Sequence, residues 1–272
     1  MSTARVRAAA PEDYDAFAAL VPQLGSGDPP PPRTRWDAEV CAQTLLAERD
    51  GVIEGYVFGQ SLRGVGYVRH LVTEESARGR GVGRALMESI AERFREAGCA
   101  RWCLNVKPDN APALGLYTSL GLREAHRGVS LRVAWTELAR LPPPPAGLVA
   151  RPALEADDLA LESAWDLTPG QLAYSRAHRW VVLCLDDAAG VACFNPSFPG
   201  AFPFRARDLG CASALLRAMR AHALPDFYFV RVNVEADEAL RAALEALGAE
   251  VMLEVMHLRG AIPERGVTGT TS

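Results

Sequence analysis

A chain of 272 residues, 49% of them hydrophobic, is long for one small domain and comfortable for two. Its formal net charge of −4 argues against a general nucleic-acid binder. No run of about eighteen uncharged apolar residues occurs, which excludes a membrane-spanning helix. The N-terminus, Met-Ser-Thr-Ala-Arg, lacks an apolar signal core, so a cytoplasmic protein is expected. Six cysteines (Cys41, Cys99, Cys103, Cys184, Cys193, Cys211) lack paired spacing, and Cys99 with Cys103 has no second ligand pair. Buried reduced thiols and no metal site are therefore expected. Lys107 is the only lysine, and arginine supplies the remaining strongly basic side chains. Under that bias an isolated arginine says little about chemistry.

Along the chain, Ala4 to Arg7 reads as a first strand. Pro11-Glu12-Asp13-Tyr14 opens a helix, with proline in its first turn and acids complementing its dipole. Phe17, Leu20 and Val21 give it an apolar stripe. Four prolines, Pro29 to Pro32, come after Gly25-Ser26-Gly27-Asp28 and predict a loop stiffened as polyproline II. Asp37 to Cys41 is a candidate short helix. Thr44 to Glu48 and Val52 to Gln60 read as strands joined at Asp50-Gly51, a hairpin signal. Gly66 to Thr73 is the next strand.

That strand delivers the chain to Arg78-Gly79-Arg80-Gly81-Val82-Gly83-Arg84, after which apolar residues recur at helical spacing up to Ala97. The first N–H groups of a helix have no internal partner and favour an anion, and glycines let backbone approach a phosphate. A tight turn between strand and helix would account for the same glycines. No Lys-Ser/Thr comes after them, which rules out a nucleoside-triphosphate P-loop. The third glycine also comes too early for the dinucleotide fingerprint. Cys99 to Val106 is a further strand, Ala111 to Leu120 a shorter helix closed by Gly121. Leu122 to His126 and Val129 to Trp135 read as two strands across a tight turn.

Arg78, Gly81 and Gly83 match the spacing Arg/Gln-x-x-Gly-x-Gly/Ala. Roughly thirty residues on, a strand ending Leu104-Asn105-Val106 leads to Asn110, then Tyr117 seven residues later, then Leu120-Gly121-Leu122. Together these resemble the GNAT superfamily of acyl-coenzyme A-dependent N-acyltransferases, over residues 4 to 136. The resemblance implies an α/β fold, a mixed central sheet flanked by helices. It implies that backbone groups of Leu71, Val72 and Thr73 hold the pantetheine arm, an N–H near Val72 acting as oxyanion donor. Residues Gly79, Arg80, Gly81, Val82, Gly83 and Arg84, with Arg78, would cradle the pyrophosphate. Asn110 would contact the coenzyme or cap a helix, and the two roles are compatible.

Tyr117 matches the family's general acid, a phenol near pKa 10 donating to a thiolate of about 8.5; a half-buried aromatic on an amphipathic helix is the plainer alternative. The general base is unassigned. Some family members carry a glutamate where Asn105 stands, and an amide takes no proton at neutral pH. Regular alternation would put Tyr67, Arg69 and Leu71 on one strand face and His70 on the other. Glu74, Glu75 and His126 are the remaining candidates, and deprotonation through water is another route.

Leu141 to Gly147, with four consecutive prolines, is the clearest boundary, expected to hold two units apart. The chain beyond it echoes the chain before it. Arg151 and Asp157 repeat the separation of Arg7 and Asp13, Val232-Asn233-Val234 matches Leu104-Asn105-Val106, and Arg207, Gly210 and Ala212 repeat the loop spacing. The reading is two tandem GNAT-like domains. Residues 1–140 form the catalytic one, 141–147 the linker, 148–263 a degenerate copy and 264–272 a frayed tail. The copy is degenerate because Leu244 stands for Tyr117, Asp208 and Leu209 for Gly79 and Arg80, and prolines interrupt the strand before Arg207. The expected activity is transfer of an acetyl group from acetyl-CoA to a primary amine of a small molecule or peptide. A mycothiol-synthase-like enzyme and a non-catalytic acyl-CoA sensor are the alternatives. Neither acceptor nor oligomeric state is legible.

Overall fold

The computed structural model describes residues 4–27 and 29–264; of the polar tail, residues 265–272 lie outside these. Two compact units divide the chain, Met1–Glu124 with Leu258–Ser272, and Ala125–His257. The first contains β1 (Arg5–Ala8), α1 (Tyr14–Leu20), α2 (Arg33–Arg35), β2 (Thr44–Arg49), β3 (Val52–Leu62), β4 (Val65–Thr73), α3 (Val82–Glu96), β5 (Arg101–Val106) and α4 (Ala111–Ser119). The strand order is β1-β2-β3-β4-β5, antiparallel except for the parallel pair β4 and β5. Asp50 and Gly51, both left-handed (φ 50° and 80°), turn β2 into β3 as the hairpin signal predicts.

Helices cover both faces of this sheet. Leu86, Ile90 and Phe94 recur every fourth residue of α3 and are fully buried, each worth about 1.5–3 kcal/mol of burial. A Cβ on Gly59 would come within 2.7 Å of the Phe94 ring, so the strand comes close beneath the helix. On the other face Phe17, Trp36, Tyr56, Phe58 and Val72 form one core. The helix expected at 37–41 begins earlier: α2 continues as a π turn, Trp36–Val40, that buries Trp36.

The second unit repeats the order of elements. It contains most of β6 (Arg123–Ala134), then β7 (Arg151–Pro152), α5 (Asp158–Ala164), α6 (Gln171–Ala177), β8 (Val181–Cys184), β9 (Gly190–Asn195) and β10 (Gly200–Ala206). Next come α7 (Leu209–Arg220), β11 (Phe229–Glu235), α8 (Glu238–Ala246) and β12 (Glu250–Ala261), the last four residues of β12 belonging to the first unit. The order β6-β11-β10-β9-β8-β7 again has one parallel pair, β10 with β11.

Two expectations are corrected. Residues 122–135 do not form two strands around a turn: β6 is continuous, and Gly128 pairs with Glu235. A Cβ there would stand 2.8 Å from Glu235 Cγ and 3.1 Å from Val234 O, so the glycine serves close strand approach. The proline segment is not the boundary either. The units divide at Glu124/Ala125, and Leu141 is buried in the core of the second unit.

The Arg–Asp echo is a clamp built twice. Arg7 holds Asp13 through two hydrogen bonds of 2.7 and 2.8 Å, while Asp13 accepts the Ala10 N–H at 2.7 Å. Arg151 holds Asp157 at 2.8 and 3.0 Å, and Asp157 accepts the Leu154 N–H. The arginine bonds hold the Asp13 carboxyl below its usual range and set Asp157 at about 2. Such groups stabilise the fold above the unfolded carboxylate pKa of about 4, and the effect is lost as pH falls through the folded pKa. Asp13→Asn is thus expected to cost about 1.5–3 kcal/mol in urea unfolding at pH 7. The gap to wild type should close in acid; a gap independent of pH would show that the charge is not what matters.

Candidate active site

The parallel ladder between β4 and β5 is short. It runs from Val65–Arg101 to Val68–Leu104 and stops, although β4 continues to Thr73. The cause lies across the sheet: β3 pairs Phe58 with His70 but Gly59 with Val68, so Arg69 is an extra residue, a β-bulge that bends the strand. Beyond it Leu71, Val72 and Thr73 keep their bonds to β3 and run without a β5 partner. The two parallel strands therefore open into a V, whose β4 side presents backbone groups suited to an extended ligand.

At the end of β4 stands the glycine loop. Gly79 and Gly81 have φ of 73° and 83°, left-handed values that glycine adopts without strain. Gly81 is the N-cap of α3 and has no side chain to offer, and Ala85 N donates to Gly81 O at 3.0 Å. The amides of Val82, Gly83 and Arg84 precede that bond, the positions where a helix lacks internal acceptors. Nothing lies within 4 Å of a Cβ placed at Gly79 or Gly81. A Cβ at Gly83 would meet Thr73 Oγ1 and Leu116 Cδ2 at 3.4 Å, and Leu71 at 4.0 Å, so loop, strand end and α4 converge. Val82 itself is core, its side chain buried over Gly55.

The three arginines have partners within the chain. Arg78 donates to Gln23 at 3.1 Å, Arg80 lies 3.5 Å from Glu54, and Arg84 donates to Ser119 at 2.8 Å. Arg84 thereby ties α3 to the helix carrying Tyr117. Tyr117 sits in the last turn of α4 and is 6% exposed; burial pushes its hydroxyl above the ordinary phenol value. Asn110 caps α4, its Oδ1 accepting the Ala113 N–H at 3.2 Å. One feature escaped sequence reading: Lys107, just beyond β5, donates to Gly25 O at 2.7 Å, so the segment Gln23–Gly25 bonds both to Lys107 and to Arg78. That Lys107 is the only lysine was the signal available.

The candidate bases are redistributed. The bulge breaks the expected alternation: His70 faces Tyr56 and Phe58, with Nδ1 3.3 Å from the Tyr56 hydroxyl, and Arg69 stacks 3.7 Å over the Tyr67 ring. Leu71 instead points toward Gly83, so it does not share a face with Tyr67 and Arg69. Asn105 donates to the Tyr67 hydroxyl at 3.1 Å. Glu74 caps the turn after β4, and its bonds to Ser76 hold it below the usual carboxylate range, a poor base. His126 belongs to the second unit, beside Glu235. Burial would raise Glu235, but His126 and Arg205 outweigh it and leave its carboxyl at about 2.

The corresponding helix start in the second unit is filled by the chain itself. Asp208 caps α7, its Oδ1 accepting the Cys211 N–H at 2.8 Å, and that backbone bond holds the carboxyl below its ordinary range. A Cβ on Gly210 would lie 3.0 Å from Pro145 Cδ. Carboxylate and proline occupy the space that the first unit leaves open.

Known proteins resemble this chain in sequence over part of the first unit and in fold over most of its length. Residues 14–122 match the Acetyltransferase (GNAT) family. A GCN5-related N-acetyltransferase from Sphaerobacter thermophilus shares the fold over 96% of both chains, with TM-score 0.67 at 19% identity. A tandem GNAT protein of the clavulanic acid biosynthesis pathway aligns over 96% of this chain and 99% of its own, with TM-score 0.59 and 18% identity. Among curated relatives, a mycothiol acetyltransferase of Corynebacterium jeikeium is 41% identical over 58 residues, 21% of this chain and 17% of its own. An uncharacterized N-acetyltransferase of Methanocaldococcus jannaschii is 32% identical over 80 residues, 29% of this chain and 51% of its own. The aligned stretches thus span about a sixth and about half of those relatives.

Proposed function

From a chain whose first unit belongs to the GNAT acetyltransferase family, we propose an N-acetyltransferase that moves the acetyl group of acetyl-CoA to a primary amine of a small molecule or peptide. The observation that carries this reading is the junction of the β4–β5 opening with the bare N-terminus of α3. A diphosphate would accept the amides of residues 82–84. The pantetheine arm would lie along Leu71–Thr73 as an added strand, and Asn110 would turn its Nδ2 to the coenzyme.

In the reaction the amine nitrogen attacks the thioester carbonyl and a C–N bond forms, with the negative charge on oxygen facing an N–H near Val72. The intermediate collapses with cleavage of the C–S bond, and the departing sulfur takes the Tyr117 hydroxyl proton. Water carries away the proton lost by the amine. Burial widens the gap between phenol and an aqueous thiol, but it desolvates the thiolate as well, so both anions seek the proton more strongly. The donor also stays loaded through neutral pH.

Six buried free thiols suit a cytoplasmic enzyme. No helix among the described residues is long and apolar enough to cross a membrane. The mycothiol acetyltransferase match covers too little of that protein to bring its acceptor with it. Release of free thiol from acetyl-CoA across a panel of amines identifies the acceptor, and a chain that binds but never turns over would be an acyl-CoA sensor. Binding itself is expected to raise the melting temperature, through about 2.7 kcal/mol at a hundredfold excess over Kd. No shift with millimolar acetyl-CoA would refute the coenzyme assignment.

A further inference from the structure

We infer a divalent-cation site in the second unit, formed by His126 of β6, Glu235 of β11 and His257 of β12. The three residues lie far apart in sequence, with none of the short spacings by which metal sites are recognised, and the fold brings one ligand atom of each within 4.8 Å of the others. His126 Nε2 stands 3.7 Å from Glu235 Oε1, and the two imidazoles stack with centroids 4.7 Å apart.

Two further observations point to a ligand. His126 Nε2 is a buried atom with no hydrogen-bond partner, a state that is destabilising if nothing fills it. Arg205 binds Glu235 Oε2, leaving Oε1 toward His126, the arrangement in which an outer partner orients a metal-binding carboxylate. Two imidazoles with one carboxylate select a borderline ion such as Zn²⁺ over Mg²⁺ or Ca²⁺, which prefer all-oxygen sets. Ligand atoms around tetrahedral Zn²⁺ lie about 3.4 Å apart, so the site closes by roughly an ångström. The ring planes, 13° apart, would turn so that both nitrogens meet one ion, and water would take the fourth position.

The same atoms could instead share only a proton, an imidazolium on Glu235 with no metal. To separate the two, the full chain is stripped with chelator, dialysed and titrated with Zn²⁺ alone, by calorimetry and thermal melting, then loaded with Co²⁺ for visible spectroscopy. One equivalent, a raised melting temperature and Co²⁺ absorption without a thiolate charge-transfer band are expected. His126→Gln and His257→Gln should each weaken binding by about tenfold or more. If His257→Gln fails to fold, His126→Gln, at the less deeply buried of the two histidines, decides. Absence of stoichiometric binding, a thiolate band implicating the cysteines, or undiminished affinity in the histidine variants would overturn the site.

Discussion

Tyr117→Phe is expected to bind acetyl-CoA as wild type does while losing roughly 10²- to 10⁴-fold in turnover, the range for a general acid–base group. The ring that packs at the end of α4 remains and only the hydroxyl goes, so melting temperature should barely move. Because the lost interaction acts on the departing thiolate, the fall should lie in kcat rather than in KM for acetyl-CoA. Burial holds this phenol above its ordinary value, so wild-type activity should show no loss below about pH 10 from ionisation of Tyr117. Unchanged turnover with an identified acceptor would return Tyr117 to a packing role.

Calorimetry should give one acetyl-CoA per chain, bound by the first unit, and replacing Gly81 with valine should abolish it. A Cβ at 81 meets no protein atom within 4 Å, so the folding cost is confined to the left-handed backbone, about 1–2 kcal/mol. The steric loss falls on the ligand. The second unit keeps Arg207, Gly210 and Ala212, yet Asp208 already supplies an anion to the start of α7 and Pro145 stands over Gly210. A stoichiometry of two, or binding that survives at 81 and is lost on changing Gly210, would assign the working loop to the wrong unit.

What the sequence disclosed was local. Asp50-Gly51, the glycine loop that opens α3 and the Asn110 cap arise from preferences of a few adjacent residues, and the Arg7–Asp13 separation stood out because it recurs at Arg151–Asp157, though only as a repeat and not as a clamp. What it concealed depends on partners far along the chain. The face of His70 is decided by an extra residue at Arg69, visible only in the register with β3. Gly128 resembles a turn glycine until Glu235, more than a hundred residues away, is found against it. The proline run marked a break in regular structure correctly, but the core in which Leu141 lies joins Val129–Leu138 before it to segments that come after the prolines.

The exchange of chain ends has a consequence for synthesis. Leu258–Ala261 runs beside β5, Ile262 donates to Ala100 O at 3.1 Å, and Arg95 donates to Pro263 O at 3.1 Å. The first unit, whose loop and tyrosine emerge early from the ribosome, thus waits for residues translated more than a hundred positions after Tyr117. Until they arrive, β5 is an unpaired edge, the kind of surface on which nascent chains aggregate. A fragment ending at the proline run would carry every proposed catalytic group and still lack a strand of its own sheet.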